Sequence, residues 1–258
     1  MRMTSLHPVL GAALLAAVLT ATAPPASAGG FDFPAIATGF SDVAQTVALE
    51  SDSHDVVSGV LSRAAVGRVG RRPVNVPPNR AAGFIPTASA TRAARERLAT
   101  ALADVQTTTS RATILRELNS GVIQAEFARQ LRAARMTTHD MADVMTGFLV
   151  TAWEVTSGKD TALQALGYNA LRNALRAEMA ADPAWQALNS AQKQDAAETM
   201  TVLAMLALAT RESLVLHKDS ARQEQLRNGV RDAVQAYYGV DLSSVQFTQA
   251  GFIPTQVN

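Results

Sequence analysis

The chain has 258 residues, of which 23 are basic and 22 acidic, and it contains no cysteine. This near-balance of charge argues against a general electrostatic attraction to nucleic acid. The absence of cysteine excludes disulfides, thiolate metal sites and cysteine nucleophiles, so stability must come from a packed core, which a chain of this length can form.

The first 28 residues have the pattern of a cleavable secretory signal peptide. Arg2 is followed by an apolar run over residues 9–19 and by the small residues Ala26-Ser27-Ala28, which suit signal peptidase. The apolar run is shorter than the roughly 20 residues that a membrane-spanning helix needs, so we expect cleavage rather than anchoring. The expected product is a periplasmic or secreted protein with a formal charge of zero, because Arg2 is the only charged residue removed.

Residues 29–82 differ in composition from the rest of the chain. The stretch from Gly67 to Arg80 combines glycine, proline and arginine, which disfavour helix and strand alike. Apolar residues in 31–49 and 56–66 have helical spacing, but glycine, serine and aspartate interrupt them. We therefore predict a poorly ordered N-terminal arm that ends in a Pro/Arg-rich linker. Several arginines of this region suit either an anionic envelope polymer or a solvated linker: Arg63, Arg68, Arg71, Arg72 and Arg80.

Residues 83–258 are predicted to form an all-α multi-helix bundle with short extended segments at its two ends. From residue 89 onward, apolar side chains recur once per helical turn, which indicates about five or six helices. Residues 196–209 are apolar on nearly every side and belong at the centre, although no stretch after the leader looks long enough to span a bilayer. Capping residues and glycines mark the predicted boundaries: Thr137, Thr161, Asn189 and Ser220 at helix starts, and Gly158 and Gly239 at helix ends.

One six-residue sequence, AGFIPT, occurs twice, at residues 82–87 and 250–255. The copies bracket the helical region, and Phe84 and Phe252 both favour burial. We therefore expect the copies to lie close together and to seal one end of the bundle. Coincidence in an alanine-rich chain is the alternative.

Three histidines remain after the leader, and their spacing does not predict a metal site. His54, His139 and His217 are far apart, and none has a second ligand one helical turn away. His139 precedes Asp140 and Asp143, which suits either a catalytic or metal role or an exposed cluster at a helix start. The exposed cluster is the commoner arrangement.

Ser190 and Lys193 have the serine-x-x-lysine spacing of penicillin-recognising enzymes. The other sequence elements of those enzymes are missing, and an N-cap serine followed by a solvated lysine explains both residues. Glu117 and Glu126 are nine residues apart and do not match a di-iron bundle. We therefore assign no catalytic, cofactor-binding or metal-ligating residue.

The tryptophans are predicted to be structural. Trp153 falls near the end of a helix, where a buried ring that braces the bundle is the default interpretation. If it were exposed beside a groove, it would be the best anchor for a ligand.

Several short motifs in the helical region resemble an uncharacterised family of exported bacterial proteins that is filed as a domain of unknown function. They are Met141-Ala142-Asp143, Ala152-Trp153, Gly158, Ala191-Gln192-Lys193-Gln194, Gly239-Val240-Asp241, Phe247-Thr248 and Gly251-Phe252. The resemblance extends from about residue 83 to residue 254, leaves the arm outside and implies no activity.

Together these features favour a non-enzymatic binding or interaction protein of the bacterial envelope. Its unknown partner would be a protein or an envelope component, with no role for nucleic acid and no cofactor. A secreted factor that acts on a host or competitor is not separable from this role by sequence. The runner-up is a hydrolase that uses Ser190, Lys193 and His139.

Overall fold

The structure is a computed structural model that describes residues 31–66, 81–106, 108–161 and 164–255. The predicted signal peptide and the Pro/Arg-rich stretch of residues 67–80 lie outside these ranges.

The described chain is 74% helical and has two short strands, which confirms the all-α prediction. Its helices are α1 (Phe33–Leu49), α2 (His54–Val66), α3 (Ala88–Val105), α4 (Arg111–Asn119), α5 (Val122–Ala133), α6 (Met141–Ser157), α7 (Ala165–Ala181), α8 (Pro183–Ala187), α9 (Ser190–Leu216) and α10 (Ser220–Tyr238). The strands β1 (Val245–Thr248) and β2 (Gly251–Pro254) form an antiparallel hairpin in which Phe247 pairs with Phe252.

Helix α9 is the centre of the molecule, as predicted. It has 27 residues and packs against α1, α3, α5, α6 and α10. By length and composition it is also apolar enough to cross a membrane, with a mean hydropathy of 1.4 over its best 18-residue window, contrary to the expectation from sequence. However, 72% of that window is buried inside the protein, which fits a core helix.

The structure differs from the predicted arm over residues 31–66, which form α1 and α2 and contribute to the core. Asp32 caps α1 by accepting the Ala35 N–H at 3.1 Å, and the helix packs against α3, α9 and α10. From the sequence, Gly39 was expected to interrupt the helix. It instead allows a close approach, because a Cβ at this position would overlap the side chain of Val105. A glycine inside a helix is tolerated where a neighbouring element needs that space.

The predicted boundaries at Asn189, Gly158 and Gly239 are confirmed. Asn189 and Gln192 form a reciprocal capping box at the start of α9, with N–H···O distances of 2.9 and 3.0 Å. Gly158 and Gly239 end α6 and α10 in the left-handed conformation, with φ values of 70° and 67°.

Two predicted helix starts, at Thr137 and Thr161, are wrong by a few residues, whereas α10 begins at Ser220 as predicted but is capped by the residue before it. Asp140 and Asp219, rather than Thr137 and Ser220, cap α6 and α10. A carboxylate accepts the free N–H groups and also interacts favourably with the positive end of the helix. Helix α7 begins at Ala165, four residues beyond Thr161.

The expected proximity of the two AGFIPT copies is also wrong. In the first copy, Gly83 forms a β-bridge with Asp140, at the start of α6. The second copy contains the whole of β2. Its partner strand accepts a hydrogen bond from the Trp153 side chain to the Val245 carbonyl at 3.2 Å, near the end of α6. The first copy and the strand that pairs with the second copy thus contact α6 at points about 20 Å apart along the helix axis.

Gly167 provides a test of how the hairpin is seated on α7. A Cβ at Gly167 would overlap the carbonyl oxygen of Thr248, so we expect Gly167→Ala to lower the free energy of unfolding by about 1 to 3 kcal/mol. Urea unfolding followed by tryptophan fluorescence measures this change.

Gly229→Ala in α10 is the matched control. Its Cβ would meet its nearest neighbour at an ordinary 3.5 Å, so the better helix propensity of alanine should raise stability by up to about 1 kcal/mol. Equal stability of the two variants would contradict the close packing at Gly167.

Candidate functional site

Residues 81–87 form a turn at 81–82, a β-bridge at Gly83 and an irregular stretch that leads to α3, and we call this segment the strap. On one side it pairs with the start of α6. The Met141 N–H donates to the Ala82 carbonyl at 2.9 Å, and the Phe84 N–H donates to the His139 carbonyl at 3.3 Å. The strap is therefore bound through its backbone.

On its other side, the strap is held by α8 and α9. The carbonyl of Ala81 accepts the Trp185 indole N–H at 2.8 Å and the Lys193 ammonium at 2.9 Å. Both side chains are buried, and the ammonium lies 5.8 Å from the centroid of the Trp185 ring. Burial lowers the pKa of Lys193.

The side-chain amide of Gln194 binds the far end of the strap, at Thr87. Its oxygen accepts the Thr87 N–H at 2.8 Å, and its nitrogen donates to the Thr87 carbonyl at 3.0 Å. The same nitrogen donates to the Thr91 hydroxyl at 2.7 Å. One buried amide thus binds both backbone groups of a single residue.

The three residues of the hydrolase hypothesis all lie beside the strap, where they contact it. The Ser190 hydroxyl is 3.5 Å from the Ile85 nitrogen, and the His139 ring lies edge-on to Phe84 with centroids 6.2 Å apart. Lys193 is only 6% exposed, so its interpretation as a solvated side chain is wrong. Its ammonium binds a backbone carbonyl.

A buried charge cluster lies where α6 and α7 meet, next to the strap. Arg176 donates to Asp140 at 2.6 Å and to Asp143 at 3.4 Å, and Arg172 lies 3.8 Å from Asp143. Burial and the Asp140 charge raise the pKa of Asp143 to about 6, against the opposing effects of the Thr137 N–H and the two arginines. The sequence placed both aspartates near a helix start but did not indicate their arginine partners.

The described residues also enclose a small cleft that the sequence analysis missed. The Ser51 hydroxyl lies 3.2 Å from Asp195 and 3.1 Å from the Ser53 hydroxyl. The His54 ring lies edge-on to Tyr238 at 6.0 Å, and burial lowers its pKa.

This cleft brings a serine, a histidine and a carboxylate together, but it has room for about one water molecule. The hydrogen bonds of Ser51 run to Ser53 and Asp195, and Asp195 also pairs with Arg97 at 2.8 Å. The contributing residues come from separate segments of the chain, so no local pattern could reveal them.

The other residues singled out from the sequence contact neighbouring parts of the protein and stabilise the fold. Trp153 is 4% exposed and its ring lies 6.2 Å from Phe247, so it braces the hairpin as predicted. Arg63 pairs with Glu178 and Asp182, and His217 caps α9. In the ranges that the structure describes, no three histidine or carboxylate side chains are grouped to hold a metal ion.

The end of the molecule opposite the strap exposes large apolar side chains, and we call it the apolar end. It carries Leu166, Val215 and Leu216, which are 62%, 54% and 60% exposed. Because Lys193 near the start of α9 contacts the strap, Val215 and Leu216 lie at the far end of this helix, about 35 Å along its axis.

Glu212 lies one turn before the last residue of α9. Its Oε2 atom is buried and accepts no hydrogen bond from the described residues. Burial raises the pKa of Glu212 to about 7, with the charge of Glu126 acting in the same direction and Arg211 opposing it.

This raised pKa predicts how stability depends on pH. The pKa is above its ordinary value of 4.5, so the folded state binds the proton more tightly and loses stability as pH rises through about 7. We expect Glu212→Gln to be more stable than the wild type by about 1 to 2 kcal/mol at pH 8.5, since the side chain is partly exposed, and to differ little at pH 5.

Chemical denaturation at the two pH values measures this difference. Glu224→Gln, on the exposed face of α10, is the control and should leave the pH dependence unchanged. A pH profile of Glu212→Gln parallel to that of the wild type would contradict the assignment.

Comparison with known proteins identifies a family but no activity. Residues 7–253 match DUF6683, a family of unknown function. No curated protein and no solved structure shows significant similarity to the chain. The predicted resemblance is confirmed, although the match begins well before residue 83 and includes α1 and α2. The chain therefore belongs to DUF6683, a family whose function is unknown.

Proposed function

We propose that this chain is an exported, non-enzymatic binding protein of the bacterial cell envelope, and that it contacts its partner through the apolar end. Export rests on the leader, in which a basic residue, a short apolar run and a small-x-small site occur in the order of a signal peptide. The binding role rests on the exposed apolar side chains.

The observation that carries the binding role is the exposure of Leu166, Val215 and Leu216 at one end of the molecule. Single exposed aliphatic residues are common, whereas several at one place indicate an interaction surface. Val215 and Leu216 are adjacent at the end of a helix, so they project in different directions and present a broad apolar tip.

The surroundings of this tip are polar and carry both signs of charge. Lys159 and Lys218 are exposed, and the ion pair Arg222–Asp219 lies at the start of α10. An apolar centre with a charged rim is the usual anatomy of a protein–protein interface. This arrangement favours a protein partner over a lipid surface, for which a consistently basic rim would be expected.

The alternative is a hydrolase, and the geometry supports it less well. The Lys193 ammonium binds a backbone carbonyl, and the cleft beside Ser51 and His54 has room for about one water molecule. A hydrolytic site built from either set would require the strap or the α1–α2 loop to move.

The binding role is tested by capture of envelope proteins on the immobilised mature chain. Val215→Ser combined with Leu216→Ser should weaken the captured complex at least about tenfold, because buried aliphatic side chains dominate such contacts. Ile85→Ser is the matched control. Ile85 is 75% exposed but lies near the opposite end of α9, so its loss should leave capture unchanged. Equal capture by all three proteins would exclude the apolar end as the interface.

Export is tested by expression of the full chain in a bacterium and mass spectrometry of the periplasmic and extracellular fractions. We expect a protein that begins at Gly29. Ala28→Leu should block cleavage, because signal peptidase requires a small residue there. Full-length protein in the cytoplasm, with or without this substitution, would contradict export.

A further inference from the structure

We infer that the groove occupied by the strap also binds the second AGFIPT copy, residues 250–255, of another molecule of this chain. Such an exchange links chains head to tail. The inference concerns the end of the molecule opposite the apolar end, and it does not depend on the proposed function.

The groove recognises features that both copies possess. Met141 binds the carbonyl of Ala82, and Gln194 binds both backbone groups of Thr87. These contacts require a backbone in the correct register and no particular side chain. The carbonyl of Ala81 has its counterpart in Gln249, which precedes the second copy.

The side chains of the strap match the second copy equally well. The phenylalanine ring packs against His139, and the next side chain, Ile85, is 75% exposed and unconstrained. The conformational freedom of glycine allows Gly251, which has φ 85° in the hairpin, to adopt the backbone conformation of Gly83. The six identical residues therefore reproduce the contacts of Ala82, Phe84 and Thr87 with the groove, and the carbonyl of Gln249 takes the place of that of Ala81.

The second copy pairs with β1 and packs on α7 where it lies, so its exchange requires the hairpin to open. It belongs to a two-stranded hairpin, an element that is marginally stable by itself. It is also near the far end of α6, about 20 Å from the groove of its own molecule. Exchange therefore occurs between molecules.

The strap limits this exchange because it is tethered to its own groove. Tethering gives it an effective concentration in the millimolar range, so a neighbouring copy competes only at high local concentration or when the strap is weakened. Each chain has one groove and one copy outside that groove, so the contact is heterologous and generates chains of molecules.

Engineered cysteines test the inference directly, because the natural chain has none. In an exchanged pair, Ile253 of one molecule takes the place of Ile85, whose nitrogen is 3.5 Å from the Ser190 hydroxyl. The full chain carrying Ile253→Cys and Ser190→Cys should therefore form disulfide-linked ladders longer than dimers on mild oxidation at about 1 mM protein. Phe84→Ala, which weakens the strap, should increase the ladder several-fold.

Two controls separate exchange from random collision. Ile253→Cys alone can form only dimers, and Ile253→Cys with Val215→Cys places the second thiol at an exposed site far from the groove. An excess of the peptide Ala-Gly-Phe-Ile-Pro-Thr should suppress the ladder, whereas the peptide with alanine in place of phenylalanine should not.

The inference is overturned if the Ile253→Cys/Ser190→Cys pair forms no more ladder than the Ile253→Cys/Val215→Cys pair, or if the peptide does not suppress it. Circular dichroism checks that Phe84→Ala is folded. If it is not, the comparison is made in the wild-type background at the same protein concentration, where the pair with Ser190→Cys should still exceed the control pair.

Discussion

Helix α9 is apolar around most of its circumference, and the burial of this helix determines the rest of the architecture. The apolar face of an amphipathic helix can be covered by neighbours on one side, whereas a helix that is apolar on every side needs neighbouring helices all around it. Helices α3, α5, α6 and α10 supply part of that ring, and α1 closes it. The segment that looked like an arm therefore belongs to the core, since without it one face of α9 would be exposed to water.

Burial of α9 also explains the polar chemistry at its start. The capping box is followed by three polar residues that lie in or near the protein interior because α9 is buried: Lys193, Gln194 and Asp195. A buried charge or amide is tolerated only when it is hydrogen-bonded, so each of the three needs a fixed partner. Lys193 and Gln194 find theirs in the strap, and Asp195 pairs with Arg97. The path of the strap thus follows from the polar groups that it satisfies.

Local chemistry was predictable from the sequence, and tertiary chemistry was not. The N-cap at Asn189 and the left-handed glycine at 158 depend on neighbouring residues alone, and both were predicted correctly, whereas the helix starts predicted at Thr137 and Thr161 were not. Gly39 was misleading because the space that it provides is filled by Val105, far away in the sequence. The Ser190–Lys193 spacing identified two residues at the strap, but only the fold shows that the ammonium binds a carbonyl. The cleft beside His54 depends on three distant segments and left no signal in the sequence.

The two ends of α9 differ in whether their side chains are covered. Around the strap, the polar side chains of α9 and apolar side chains such as Trp185 are both covered. The protein binds the strap there mainly through backbone groups, which many other segments also present. At the apolar end, α9 extends past its ring of neighbours, and Val215 and Leu216 remain exposed. Exposure of this kind lowers stability relative to a shorter or more polar helix end, since each aliphatic side chain forgoes about 1.5 to 3 kcal/mol of burial. A helix end that only had to stop the chain would not need these residues, and they are the ones through which we propose that the chain binds its partner.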